Sequence, residues 1–103
     1  MSRSVQIRWE GGSVGAKWRR PRAPSGAAVL LAHGAGTGQD HRSIVAVREG
    51  LAARGHPVLT FNYPYRDSGR ARPDRKETLL ACHRAAYEWL AERFDPIVLA
   101  GRS

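Results

Sequence analysis

The chain has 103 residues, of which 42% are apolar and 25% charged, and its formal net charge is +8. That is one small domain, 1–103, with enough apolar side chains for a single packed core, which excludes a disordered chain and leaves no room for two domains. The longest stretch without a polar residue, 26–32, is far short of the roughly 20 that cross a bilayer, and no apolar segment follows the charged start, so the expectation is a cytoplasmic protein with neither membrane span nor leader.

Val5-Gln6-Ile7-Arg8-Trp9 alternates apolar and polar residues, Gly11-Gly12 permits a turn, and Val14 to Trp18 resumes a looser alternation, so the first 20 residues read as a β-hairpin. Arg19 to Gly26, rich in Arg and Pro, is a connecting loop. Ala27 to Ala32 is a continuous apolar run too short for a core helix, as expected of a strand covered on both faces. Three glycines within Gly34 to Gly38 then cost too much backbone entropy for an element interior and mark a loop reaching Asp40.

From Ser43 to Arg54 the apolar residues Ile44, Val47 and Leu51 recur at helical spacing, with Gly55 as the stop. Pro57 to Asn62 is a second β-rich run, followed by the turn-prone, Arg-rich segment Tyr63 to Pro73. Asp74 is expected to cap a helix that carries Leu79, Cys82, Ala86, Trp89 and Leu90 on one side, which makes Cys82 a small core residue. Ile97 to Ala100 closes the series as a strand. Strands alternating with helices predict an α/β fold, with a mostly parallel sheet, helices on both faces and an antiparallel hairpin at one edge.

In an open parallel sheet, ligands meet the carboxyl ends of the strands, so the loops beginning at His33, Asn62 and Gly101 are the ones to inspect, and they are expected on one edge. The glycine loop lacks the spacing of a dinucleotide fingerprint, and no Gly-Lys-Ser/Thr follows for a phosphate loop. Its other use is to offer backbone N–H groups to a developing oxyanion. Gly101-Arg102-Ser103 after an apolar strand is the first half of G-x-S-x-G, in which a sharp turn exposes a nucleophile.

Three runs resemble the N-terminal part of an α/β hydrolase: Leu31-Ala32-His33-Gly34-Ala35-Gly36, Thr60-Phe61-Asn62-Tyr63-Pro64-Tyr65 and Ala100-Gly101-Arg102-Ser103, with Gly69 to Arg75 adding to the likeness. The chain looks most like a small serine-hydrolase-like family related to the dienelactone hydrolases, some of whose members serve in protein complexes. The resemblance spans residues 27–103 and implies Ser103 as nucleophile, with the N–H of Ala35, and Gly36 as second choice, lining half of an oxyanion hole. It implies hydrolysis of a small-molecule ester, thioester or amide through an acyl-serine, without cofactor or metal.

The family's order of Ser, then acid, then His would put both triad partners after Ser103, so the chain as written is expected to be an inactive N-terminal portion with an unpaired apolar edge, prone to aggregate. His33 is expected to shape the loop, and His41, His56 and His83 to be surface or helix-end residues. Tyr63, Tyr65 and Arg66 border the site and are weighed as substrate contacts against a solvated loop. A metal at His33, Asp40 and His41 has no supporting spacing.

Two alternatives accompany the hydrolase reading. One is a non-catalytic module of the same fold that binds a protein partner. The other is a small basic nucleic-acid-binding protein, against which stand the scatter of the cations among acids and the lack of any recognised DNA- or RNA-reading motif.

Overall fold

The opening hairpin is built from β1 (Ser2–Trp9) and β2 (Gly12–Arg19), paired antiparallel in one unbroken register from Ser2↔Arg19 to Trp9↔Gly12. The computed structural model describes residues 2–101. Strand β3 (Ala28–Ala32), helix α1 (Arg42–Ala53), strand β4 (Val58–Phe61), a single turn of helix α2 (Pro64–Asp67), helix α3 (Lys76–Ala91) and strand β5 (Ile97–Gly101) follow. The Arg-rich segment after β4, expected to be turns, thus begins with one helical turn started by Pro64, whose fixed φ and missing N–H suit the first position of a helix.

The strands form one sheet in the order β1-β2-β4-β3-β5. Strands β4, β3 and β5 are parallel, and the hairpin joins them through an antiparallel pairing of β2 with β4, Ala16↔Phe61 to Arg19↔Val58. Strand β3 lies between two partners and all five of its residues are buried, which is why it reads as an uninterrupted apolar run. Its alternate residues divide the core. Ala28, Leu30 and Ala32 meet Leu59, Phe61 and the hairpin's Ile7, Val14, Ala16 and Trp18 beneath α3, whereas Val29 and Leu31 meet Val58 and Ile44 beneath α1.

Helix α3 presents Cys82, Ala86 and Leu90 to the first of these clusters, on the stripe its spacing predicts. Trp18 locks the hairpin under this helix, with its ring edge-on to Trp89 at 5.5 Å and tilted against Phe94 at 5.4 Å. The start of α3 departs from expectation: its cap is Arg75 and makes no side-chain capping bond. Asp74 instead turns back, accepting from the Tyr65 backbone N–H at 2.8 Å, one of the N–H groups that the first turn of α2 leaves without an intrahelical partner, and pairing with Arg70 at 3.2 Å.

Helix α1 ends in a Schellman arrangement, Gly55 N–H to the Ala52 carbonyl and His56 N–H to the Leu51 carbonyl, with Gly55 at φ +94°. Its inner stripe holds Ile44, Ala52 and, unexpectedly, Arg48, which is 7% exposed. The charge is matched locally: Glu49 receives Arg48 Nε at 3.3 Å and Arg19 Nε of β2 at 3.0 Å. Those bonds, Arg19 first, hold the Glu49 carboxyl below its usual pKa and tie α1 to β2. Among the described residues, no helix is long and apolar enough to cross a membrane.

Candidate functional site

The parallel registers bring the ends of three strands to one edge. Ala32, the last residue of β3, is opposite both Phe61 at the end of β4 and Gly101 at the end of β5. The loops beginning at His33 and Asn62 therefore leave the sheet at the level where β5 ends, on the edge where open parallel sheets bind ligands. Strands β3 and β5, whose ends carry the glycine loop and the Gly-Arg-Ser sequence, are direct neighbours. Ser103 itself lies outside the described residues.

Residues 34–37 form a tight turn closed by Thr37 N–H to the Gly34 carbonyl at 3.3 Å, with Gly36 at φ +78°. A positive φ confined to the third position is the signature of a type II turn, which favours glycine there. The Gly34 carbonyl is held inward by two further donors, Thr37 Oγ1 at 3.0 Å and His33 Nδ1 at 2.8 Å. Ala35 and Gly36 occupy the exposed tip, and among the described residues their N–H groups bond to nothing.

His33 is the post behind this turn. It is 5% exposed, and its Nε2 accepts from the Tyr63 backbone N–H at 3.1 Å, so the proton resides on Nδ1, which donates to Gly34. Both nitrogens are occupied. Burial, reinforced by the nearby Arg66 charge and opposed by the Gly34 bond, pushes its pKa down and keeps the ring neutral. Its expected role in shaping the loop is what the geometry shows.

A second support is one the sequence did not reveal. Gln39, 3% exposed, accepts from Thr60 Oγ1 at 3.1 Å, donates from Nε2 to the Gly15 carbonyl at 3.0 Å, and donates its backbone N–H to Asn62 Oδ1 at 2.9 Å. Asp67 continues the network by accepting from Gly15 N–H at 3.0 Å and from Asn62 Nδ2 at 3.4 Å. These bonds fasten the far end of the glycine loop to β2, β4 and α2. A Gln within a glycine-rich loop reads as solvated, and only the fold brings Thr60 and Gly15 within its reach.

The remaining candidates separate. Tyr65 is 2% exposed, its side chain buried in the interior. Tyr63 Oη is 3.1 Å from His83 Nδ1 on α3, its ring packed edge-on against Phe61 and His33. His83 is therefore not the surface residue expected from the sequence: it is half-buried, its Nε2 is enclosed without a partner among the described residues, and burial lowers its pKa. The helical stripe put position 83 beside Cys82 but could not show that Tyr63 folds over it.

His41 caps α1 by accepting from Ser43 N–H at 3.2 Å, and His56 Nδ1 donates to the Ala27 carbonyl at 2.9 Å, at the opposite end of β3. Arg66 is exposed, and its Nε lies 3.3 Å from where a Cβ on Gly38 would sit, which places a cation beside the loop. Cys82 is fully buried, with its thiol pushed up to about 12, chiefly by burial and then by the charges of Asp74 and Asp67. Among the described residues, no three His, Cys, Asp or Glu side chains are grouped to hold a metal.

Residues 25–103 match the α/β hydrolase domain family. Among solved structures, an α/β serine hydrolase homologue from Coxiella burnetii superposes with a TM-score of 0.82 at 18% identity, over 98% of this chain and 51% of its own. An α/β serine hydrolase without a lid from Xanthomonas campestris gives 0.79 at 18% identity, over 99% and 50%. An esterase from Pyrobaculum calidifontis gives 0.77 at 23% identity, over 100% and 35%. At these identities the likeness is one of fold, and the chain spans about half or less of each neighbour's length. No curated protein sequence matches it.

Proposed function

The chain belongs to the α/β hydrolase domain family, and from that premise we propose a serine hydrolase of small-molecule esters, thioesters or amides with Ser103 as its nucleophile. The observation carrying this reading is the pairing of Ala32 with Gly101, which starts the glycine loop and the Gly-Arg-Ser segment from adjacent parallel strands at one level. In this scheme the Ser103 hydroxyl attacks the substrate carbonyl, and the negative charge that develops on its oxygen is received by the Ala35 N–H, with Gly36 as second donor. The type II turn supports that role, since among the described residues it leaves these two N–H groups without a partner at an exposed tip while three donors fix the carbonyl behind them.

The base that takes the serine proton is assigned to none of the four histidines. His33 has both nitrogens engaged, His41 caps a helix, His56 bonds at the other end of β3, and His83, on α3, is joined to Tyr63. The family's chain order, nucleophile before acid before histidine, agrees with that exclusion. The test is labelling of the whole gene product with a fluorophosphonate probe, alongside Ser103→Ala. Labelling abolished by that substitution is expected; labelling retained by Ser103→Ala, or absent from the unaltered protein, overturns the assignment.

A further inference from the structure

A line of hydrogen bonds runs from α3 to the glycine loop. His83 Nδ1 lies 3.1 Å from Tyr63 Oη, the Tyr63 backbone N–H donates to His33 Nε2 at 3.1 Å, and His33 Nδ1 donates to the Gly34 carbonyl at 2.8 Å. The direction of the first bond follows from its partners. With the Tyr63 hydroxyl donating to Nδ1, only the His83 Nε2–H is left unpaired among the described residues, whereas the reverse would strand both Nε2 and the phenol proton. The Tyr63 ring is edge-on to Phe61 at 5.0 Å and to His33 at 5.1 Å, and tilted against His83 at 6.3 Å. Its hydroxyl cannot leave His83 without shifting the ring that rests on His33.

The other end of this line is the proposed oxyanion donor. The Gly34 carbonyl and the Ala35 N–H belong to one planar trans peptide and so point in opposite directions. Drawing the carbonyl inward onto His33 turns the Ala35 N–H outward, and a tilt of the imidazole tilts that N–H. Thr37 holds the same carbonyl through its hydroxyl and its N–H, so a weakened His33 loosens the peptide without collapsing the turn. Packing alone does not account for an imidazole at position 83. A phenylalanine would fill similar space beside Phe61 and strand no polar atom, whereas His83 keeps an enclosed Nε2 unpaired and uses its other nitrogen on Tyr63 alone.

We infer that His83 is a positioning residue for the proposed reaction: acting through Tyr63 and His33, it sets the direction in which the Ala35 N–H meets the developing oxyanion. The role rests on the hydrolase reading, with Ala35 as donor. Tyr63→Phe removes the hydroxyl yet keeps the ring and the backbone N–H, so the fold is expected to survive it. His83→Phe removes the same bond from the other side. His83→Gln restores an acceptor, because its amide oxygen can receive the Tyr63 hydroxyl.

The experiment follows fluorophosphonate labelling of the whole gene product against probe concentration, for the parent, these three variants and the Tyr63→Phe/His83→Phe double. Tyr63→Phe and His83→Phe are each expected to lower the maximal labelling rate about tenfold, less than the loss of an entire oxyanion donor, with the half-saturating concentration unchanged because the donor acts in the transition state. The double variant should be no slower than the slower single, since both remove one bond, and His83→Gln should regain most of the rate. In NMR spectra the Ala35 amide and the His33 Nδ1–H should shift with His83→Phe and return toward the parent positions with His83→Gln. A lowered melting temperature with neither rate nor signals moved overturns the role, as do additive losses in the double variant, a loss in half-saturation alone, or failure of His83→Gln to rescue. An unlabelled parent overturns the hydrolase reading and this role with it, whereas a labelled parent with unaffected variants overturns this role alone.

Discussion

His33 accepts the backbone N–H of Tyr63 at 3.1 Å, and the two rings meet edge-on with centroids 5.1 Å apart, so one neutral imidazole joins the loop after β3 to the loop after β4. Protonating His33 breaks that bond, since Nε2 then becomes a donor facing a donor. Burial also lowers the pKa of His83. In the unfolded chain both rings take up protons near 6.5, whereas the folded chain resists until a lower pH. Stability from these two groups is therefore complete above about pH 6.5 and declines as pH falls below it, because the unfolded state then binds more protons. Urea midpoints at a series of pH values should show that decline, and replacing both histidines with Gln should flatten it.

Ala35→Pro isolates the proposed oxyanion donor. Proline suits the second position of a type II turn, so the turn and the fold are expected to survive while the N–H disappears. Ester hydrolysis or fluorophosphonate labelling by the whole gene product should fall about a hundredfold or more, the usual cost of one lost oxyanion donor. An unchanged rate with an unchanged melting temperature would remove Ala35 from the mechanism.

Gln39→Leu should cost about 1–3 kcal/mol, since it leaves the buried Thr60 hydroxyl and the Gly15 carbonyl without this partner. Adding Thr60→Val removes one of the stranded groups, so the double variant should lose less than the sum of the singles. Denaturant titration of the four proteins closes this cycle, and strict additivity would show that the two side chains do not act as a pair.

Cys82 should be inert while the protein is folded. Its thiol is fully buried and pushed up to about 12, so almost no thiolate exists at neutral pH. Reaction with a disulfide reagent should follow the fraction unfolded as urea is raised. Rapid labelling of the native protein would contradict its place between α3 and the sheet.

Local sequence pattern specified most of the elements in this chain. The alternation at Val5 to Trp9, the apolar run ending at Ala32, the helical spacing of Ile44, Val47 and Leu51 and the stop at Gly55 all depend on neighbours within a few residues, and each element stands within one to three residues of its expected bounds. Alternating strands and helices further required parallel neighbours, and with them the carboxyl ends of β3, β4 and β5 on one edge. Tertiary structure alone decided that β2 pairs with β4, that Asp74 serves α2 rather than capping α3, and that Tyr63 encloses His83. It also placed Gln39 against Thr60 and buried Arg48 beside Ile44. The partners concerned are mostly far apart in sequence, 21 residues for Gln39 and Thr60 and 30 for Arg19 and Glu49. No spacing rule reaches so far: a polar side chain's partner is set by which segments the folded sheet brings together.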